Sequence, residues 1–248
     1  MKWLVKYLLV VICSLTSFSQ IGTRDNGRII SGSNFNFFDN LKISYSILNS
    51  DDENTIMYED IEGSPYIDNN ITIGKIYSKS LELIKTAFVR YNAYTDNMEV
   101  SLDEEGSDYY LIKKLPDFLY FELNNKIYKA FEYNLNSEKI INYFVILADN
   151  DKNKSTLLNK ETIIFKKGKK PESSFLTPTN HRFVRAKDKF YIKIDDQILE
   201  VPKKIKDLPK LFGDKKTEIE AFIASSKIKS NSGLDLLNIV NYYNSLFN

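Results

Sequence analysis

Beyond Gly63 the chain runs in short stretches where apolar and polar residues alternate, each closed by a polar turn. "ITIGKIYS" is one such stretch. "LELIKTAFVRYNAYTDNMEVSL" supplies an outgoing strand, a turn at Thr95, Asp96 and Asn97, and a return through Met98, Val100 and Leu102. Alternation at period two is what a half-buried strand requires. Asp and Asn hydrogen-bond their own backbone and accept left-handed geometry, which gives the turn its mechanism. "EEGSD" then turns the chain into "YYLIKKL". The device recurs around Asn124-Asn125 and from Asp149 to Lys154, between "YFVILA" and "TLLNKETIIF". Two further reversals are read in "RFVRAKDKFYIKIDDQILEVPK", at Lys187-Asp188 and Asp195-Asp196. Many short strands joined this way predict a mostly antiparallel sheet, arranged as a sandwich, a meander or a barrel.

Two segments depart from that pattern. "KKGKKPESSFLTPTNH", residues 166–181, carries Gly168, Pro171 and Pro178 and reads as a crossing loop. Past residue 204 the apolar period becomes helical. "DLPKLF" is a helical turn with Asp207 suited to its N-cap, and "GDKKTEIEAFIASSK" aligns Ile219, Phe222 and Ile223, with Asp214 as the candidate cap. "SNSGLDLLNIVNYYNSLFN" repeats the arrangement through Leu236, Ile239, Val240, Tyr243 and Leu246. A helix with one apolar stripe is marginal alone, so both helices must pack on something. The fold class is therefore α+β: an antiparallel β domain over 41–204, followed by a tail of two to three helices over 205–247 packed on it. Residues 20–40, polar and rich in Gly, Ser and Asn, read as a poorly ordered lead-in.

Composition strengthens the sheet assignment, because 16 Tyr and 16 Phe suit pleated, half-buried surfaces. It also gives an address. "MKWLVKYLLVVICSLTSFSQ" begins with Lys2 and Lys6, continues through an apolar run from Tyr7 to Leu15, and ends with small residues at Ser17 and Ser19. That is the layout of a secretory signal peptide over 1–19, with cleavage expected before Gln20. Its apolar run is shorter than the ~20 residues that span a bilayer. Cleavage removes Lys2 and Lys6 from 34 basic residues set against 33 acidic ones, taking the net charge from +1 to −1. Neither balance suits a broad phosphate-neutralising surface, so no nucleic-acid partner is expected. The single cysteine, Cys13, leaves with the signal. The mature chain then has no disulfide and relies on its core, which fits a bacterial envelope (periplasm, outer-membrane face or beyond).

Several stretches together carry a resemblance: "GSPYI" before "RYNAYTDNMEV", then "LLNKETIIFKKGKKP", the hairpin "RFVRAKDKFYIKI", and "LPKLFGDKKTEIEAFIASSKIKSNSGLDLLNIVNYYNSL". From Gly63 to Leu246 the chain resembles a family of uncharacterised exported β-rich proteins with a C-terminal helical tail, of the kind found in flavobacteria and other Bacteroidetes. The resemblance implies envelope location. It implies no activity, and so transfers no functional residue.

Candidate chemistry is thin. His181, the one histidine, has no second His or Cys to share a metal and is expected at the surface of the crossing loop. "DNDKNKSTLLNKE" imitates a calcium loop through Asp149, Asp151, Asn153 and Ser155, but Lys154 and Lys160 stand where that loop needs Gly and Glu. Acidic clusters at Asp51-Asp52-Glu53, Glu59-Asp60-Glu62 and Asp103-Glu104-Glu105 leave a carboxylate hydrolase conceivable, yet charge beside turn residues usually marks solvated loops. The basic run Lys166, Lys167, Lys169 and Lys170 reads as protection of a strand edge. Aromatic groups at Tyr109-Tyr110, Tyr242-Tyr243 and Phe35-Phe37-Phe38 exceed what alternation buries, with one ring of each pair expected in the core. Catalytic, cofactor-binding and metal-ligating residues are accordingly expected to be none. The expected role is non-catalytic binding or scaffolding of an envelope protein or a small ligand. A carrier of an apolar, lipid-like ligand inside the β domain is one alternative, and a carboxylate hydrolase the other.

Overall fold

The structure, a computed structural model, describes residues 61–69, 72–101, 109–148, 154–168 and 179–247, with the short strand β1 (Lys42–Ile43). All belong to one compact unit, Asn40–Asn248. The expected signal peptide and lead-in, with Phe35, Phe37 and Phe38, lie outside the described residues, as do residues 102–108 and 149–153, where turns are expected. Twelve further strands follow: β2 (Thr72–Ser78), β3 (Leu83–Asn92), β4 (Asn97–Ser101), β5 (Tyr109–Ile112), β6 (Leu119–Leu123), β7 (Lys126–Leu135), β8 (Glu138–Ala148), β9 (Ser155–Lys160), β10 (Ile163–Lys166), β11 (Arg182–Arg185), β12 (Lys189–Ile194) and β13 (Gln197–Glu200). Eleven form one sheet in the order β1-β5-β4-β3-β2-β6-β7-β8-β9-β12-β13, while β10 and β11 make a separate ribbon. All ladders between these strands are antiparallel.

The turn chemistry holds where it was read in Asn and Asp. Asp96 (φ 57°), Asn124 (50°), Asn125 (60°) and Asp195 (49°) occupy the left-handed region at three reversals. A further reversal between β7 and β8 uses Asn136 and Ser137, at φ 50° and 70°. Lys187-Asp188 is a correction. β11 pairs with β10 and β12 with β9, so these residues connect two different sheets and close no hairpin. Likewise "TLLNKETIIF" is two strands, parted at Glu161-Thr162, where Ala186 donates back to the Thr162 carbonyl at 2.9 Å.

The long sheet rolls in two directions. Tyr128 and Tyr133 on β7 are five residues apart and so face opposite sides. On one side Tyr128 meets Tyr91 of β3, with ring centroids 5.1 Å apart. On the other Tyr133 meets Tyr191 of β12 at 5.8 Å. Each partner is three ladder steps from β7, roughly 14 Å away in a flat sheet with strands about 4.8 Å apart. Only curling toward one face, and then toward the other, closes both gaps. The first roll buries Ile76, Val89, Met98, Phe121 and Tyr143; the second encloses Phe131, Tyr133, Phe144, Leu158, Tyr191 and Ile198.

Register puts Leu157 and Ile192 on the face opposite Leu158 and Tyr191, and there the C-terminal helices pack. A 3-10 segment (Ile205–Lys215), kinked at Phe212 and Gly213, leads into α1 (Lys216–Ser225), and α2 (Gly233–Ser245) lies against β9. Leu157 and Ile192 share one core with Leu208, Phe212, Ile219, Leu236, Ile239, Val240 and Tyr243. The α+β class holds. The expected caps do not: neither Asp207 nor Asp214 caps a helix, because Lys204 and Lys215 occupy those positions without side-chain bonds. Asp207 sits inside the first turn, pairing with Lys210 at 2.7 Å. α2 is capped by Ser232, which accepts from the Asp235 N–H at 3.2 Å.

Candidate functional site

The residues singled out by sequence mostly serve the fold. His181 is half-buried. Its Nδ1 accepts from the Gly168 N–H at 3.1 Å, its ring stacks on Phe165 at 5.5 Å, and its carbonyl accepts from the Glu62 N–H at 2.9 Å. It fastens the crossing connection rather than sitting free at the surface. Gly63 belongs to the same seam. It has φ 87°, and a Cβ there would lie 2.8 Å from the Phe183 carbonyl oxygen, so "GSPYI" needs its glycine for close backbone approach. Of the calcium-like loop, Asp149, Asp151 and Asn153 lie outside the described residues. Ser155 is buried against α2, where its N–H and Oγ donate to Asn244 Oδ1 at 2.8 and 3.0 Å. Among the described residues, no three His, Cys, Asp or Glu side chains gather as metal ligands. Of the acidic clusters, Glu62 accepts from Asn180 at 2.7 Å. The others lie outside the described residues. Lys166 and Lys167 are exposed, and Lys169 and Lys170 are not described. Tyr243 is core and Tyr242 covers Phe222 in a stack of 4.1 Å, as the pairing of rings predicted. Tyr109 and Tyr110 are both half-buried.

What sequence reading missed is a set of carboxylates, Asp96 half-buried and Glu99 and Glu161 buried, each held by cations. β8 extends past the end of β9, so Tyr143, which lies opposite Ala130 of β7, has no strand on its other side. Side chains take over that role. Asp96, at the β3–β4 turn, accepts from the Tyr143 N–H at 3.3 Å, while Lys160 donates to the Tyr143 carbonyl at 3.1 Å. The two also form a short ion pair with each other. Asp96 further accepts from Lys114 Nζ and the Tyr91 hydroxyl, both at 2.7 Å. Burial pulls the Lys160 ammonium below its ordinary range although Asp96 opposes the shift. Burial, followed by the Asp96 charge, drives the Tyr91 hydroxyl well above its own. Next along the chain Glu161, 3% exposed, accepts from Lys126 at 2.8 Å, Tyr128 at 2.6 Å and Arg185 at 2.9 Å. Glu99, 0% exposed, takes Arg90 at 2.6 Å, Asn92 at 3.0 Å and Tyr66 at 3.1 Å, and the Arg90 guanidinium lies over the rings of Tyr66 and Tyr109. Carboxylates so fully occupied serve as cross-links. The enclosed space beside Tyr91 and Tyr128 is about 10 Å³, room for about one water.

An open recess lies elsewhere, between the 3-10 segment and α1. It is a groove of about 480 Å³ with Ile205, Pro209, Ile223 and Ile228 as its apolar floor. Ile205, Ile223 and Ile228 belong to the skin of the helical core, so the core reaches the surface here. Lys206, Lys227, Lys229 and Glu220 form the rim. Glu220 pairs with Lys216 at 3.6 Å, whereas Lys227 and Lys229 enter no ion pair among the described residues. The shape follows from how α1 ends. The Lys227 N–H returns to the Ala224 carbonyl at 3.2 Å and the Ile228 N–H to the Ile223 carbonyl at 3.1 Å. This is a Schellman closure, in which the apolar residue after the turn folds onto the last helical turn. It requires a left-handed residue, and Lys227 supplies it at φ 54° where glycine is usual. Among the described residues, no helix is long and apolar enough to cross a membrane. No family model, curated protein or solved structure matches the chain.

Proposed function

We propose that the chain is a non-catalytic cell-envelope protein, exported by its N-terminal signal and belonging to the flavobacterial type it resembles, that acts by binding a partner at the groove between the 3-10 segment and α1. The observation that carries this reading is the groove itself: apolar floor, open mouth and uncompensated lysines in one place. Pockets of about 300–1,000 Å³ with a few placed polar groups are where ligands and partner side chains seat. The saturated state of Asp96, Glu99 and Glu161 supports structural rather than catalytic work for the buried charges. At about 480 Å³ the groove is also large enough to seat a small apolar ligand.

The test is site-specific photo-crosslinking in the cells that make the protein, with the reactive residue at Ala224 in the groove or at exposed Leu81 on the β2–β3 hairpin. A discrete adduct at Ala224 and none at Leu81 is expected; equal or absent adducts at both positions overturn the reading. Recovery of the envelope fraction with an N-terminus at Gln20 is expected as well, and a cytoplasmic chain retaining Met1 overturns export.

A further inference from the structure

Resting on that reading, we infer that the occupant of the groove is the apolar face of an acidic amphipathic helix carried by a partner protein. The floor of Ile205, Pro209, Ile223 and Ile228 asks for aliphatic side chains, and a groove walled by helical segments takes them at i, i+3, i+4 and i+7 spacing. The elements that form it are helical, so addition of an extended strand has no backbone ladder to join here. Charge then chooses the sign. Of the lining residues, Lys206, Lys227 and Lys229 stand against Glu220, which is already shared with Lys216, and Asp207 beside Lys206 is taken up by Lys210. A chain whose charges otherwise nearly cancel thus gathers positive charge round one apolar recess, which steers and registers a negative partner.

The same charge argues against two other occupants. A second copy meeting groove to groove would oppose lysines to lysines, because a two-fold contact uses the same patch twice. A bilayer surface is anionic but flat, and it leaves a recess with this floor unfilled. Lys227 adds an independent sign. It occupies a left-handed position where glycine is the relaxed choice, so a positive side chain is held at the rim against local backbone preference.

The experiment uses the full chain and fluorescence anisotropy with synthetic helices of about 14 residues, a length at which an isolated helix is marginal and can be ordered by binding. One probe has leucines on one face and glutamates on the other, the second has lysines for the glutamates, and a third is a scramble of the first. The acidic helix is expected to bind at least tenfold tighter than the lysine helix at low salt, with the gap narrowing as salt rises. Lys227→Glu with Lys229→Glu should erase that gap. Ile223→Asp should abolish binding of both helices, and exposed Ala224→Glu repeats the test should the first variant misfold. Lys227→Gly should weaken the acidic helix several-fold while raising the thermal midpoint by about 2 °C. Equal affinity for both helices, lost on Ile223→Asp, overturns the acidic partner and leaves the groove as a binding site. Acidic-helix binding that survives Ile223→Asp and Ala224→Glu overturns both readings, as does binding to none of the probes. Binding only to phosphatidylcholine–phosphatidylglycerol vesicles, or self-association abolished by Ile223→Asp without helix binding, replaces the helix with a membrane surface or a second copy.

Discussion

At the scale of single residues Asp96 is the informative case. Its backbone was legible, because a turn between alternating runs favours a residue tolerant of left-handed geometry, and Asp96 adopts φ 57°. Its carboxylate was not legible. The partners Tyr143 and Lys160 lie 47 and 64 residues further on and reach it only once the sheet has rolled. Asp96 and Lys160 are 15% and 11% exposed, so removing the charge of one strands the other. Asp96→Asn is expected to destabilise by about 3 kcal/mol, since breaking a buried pair costs about 3–5 kcal/mol and this one retains some solvent contact. Adding Lys160→Met should restore more than about 1 kcal/mol, because the uncompensated charge goes with it. Urea midpoints of the two variants check this; equal values would mean that the pair is not coupled.

At the scale of elements, hairpins closed by Asn or Asp were readable and helix boundaries less so. Asn124-Asn125 and Asp195-Asp196 announce their turns through local backbone preference, whereas Lys187-Asp188 looks the same and joins two sheets. Local chemistry specifies a bend; which strand the chain then finds is settled by distant pairing. Asp207 and Asp214 failed as caps for local reasons: Asp207 lies inside the first turn, and although the backbone breaks at Phe212 and Gly213 just before Asp214, Lys215 takes the N-cap position of α1 and no side chain closes it. Ser232 does cap, and Ser232→Ala is expected to cost about 1 kcal/mol in chemical unfolding. The tie between α2 and the sheet is tested by Asn244→Ala. Asn244 accepts from the Ser155 N–H at 2.8 Å and donates to the Ser155 carbonyl at 2.9 Å. Truncation leaves that buried N–H unsatisfied, for about 2 kcal/mol. Hydrogen exchange should show the extra opening concentrated in β9 and α2; protection lost uniformly would place the tie elsewhere.

At the scale of the whole molecule, high tyrosine content predicted a sheet but not what the rings do in it. In the two rolls they meet across strands that are not neighbours, and burial is the main force lifting Tyr91, Tyr128, Tyr143 and Tyr191 above the ordinary phenol range. A group whose folded value is raised holds its proton in the native state after the unfolded chain has lost it. The stability it contributes is therefore complete below the unfolded value of about 10 and drains away as pH climbs past it. Lys160, shifted downward, acts in the opposite sense by shedding a buried charge as pH rises, but it is one group against four. Each tyrosine forfeits about 1.4 kcal/mol per pH unit in that window. Four together lose about 5 kcal/mol per unit, comparable with the entire stability of an ordinary domain. The protein should hold its fold to about pH 10 and unfold within the next one to two units. Phenolate absorbance should show exposed tyrosines ionising first and the buried set appearing only with the loss of circular dichroism. One smooth titration of all tyrosines near pH 10, finished before any unfolding, would mean that the rings are not shut inside the two rolls.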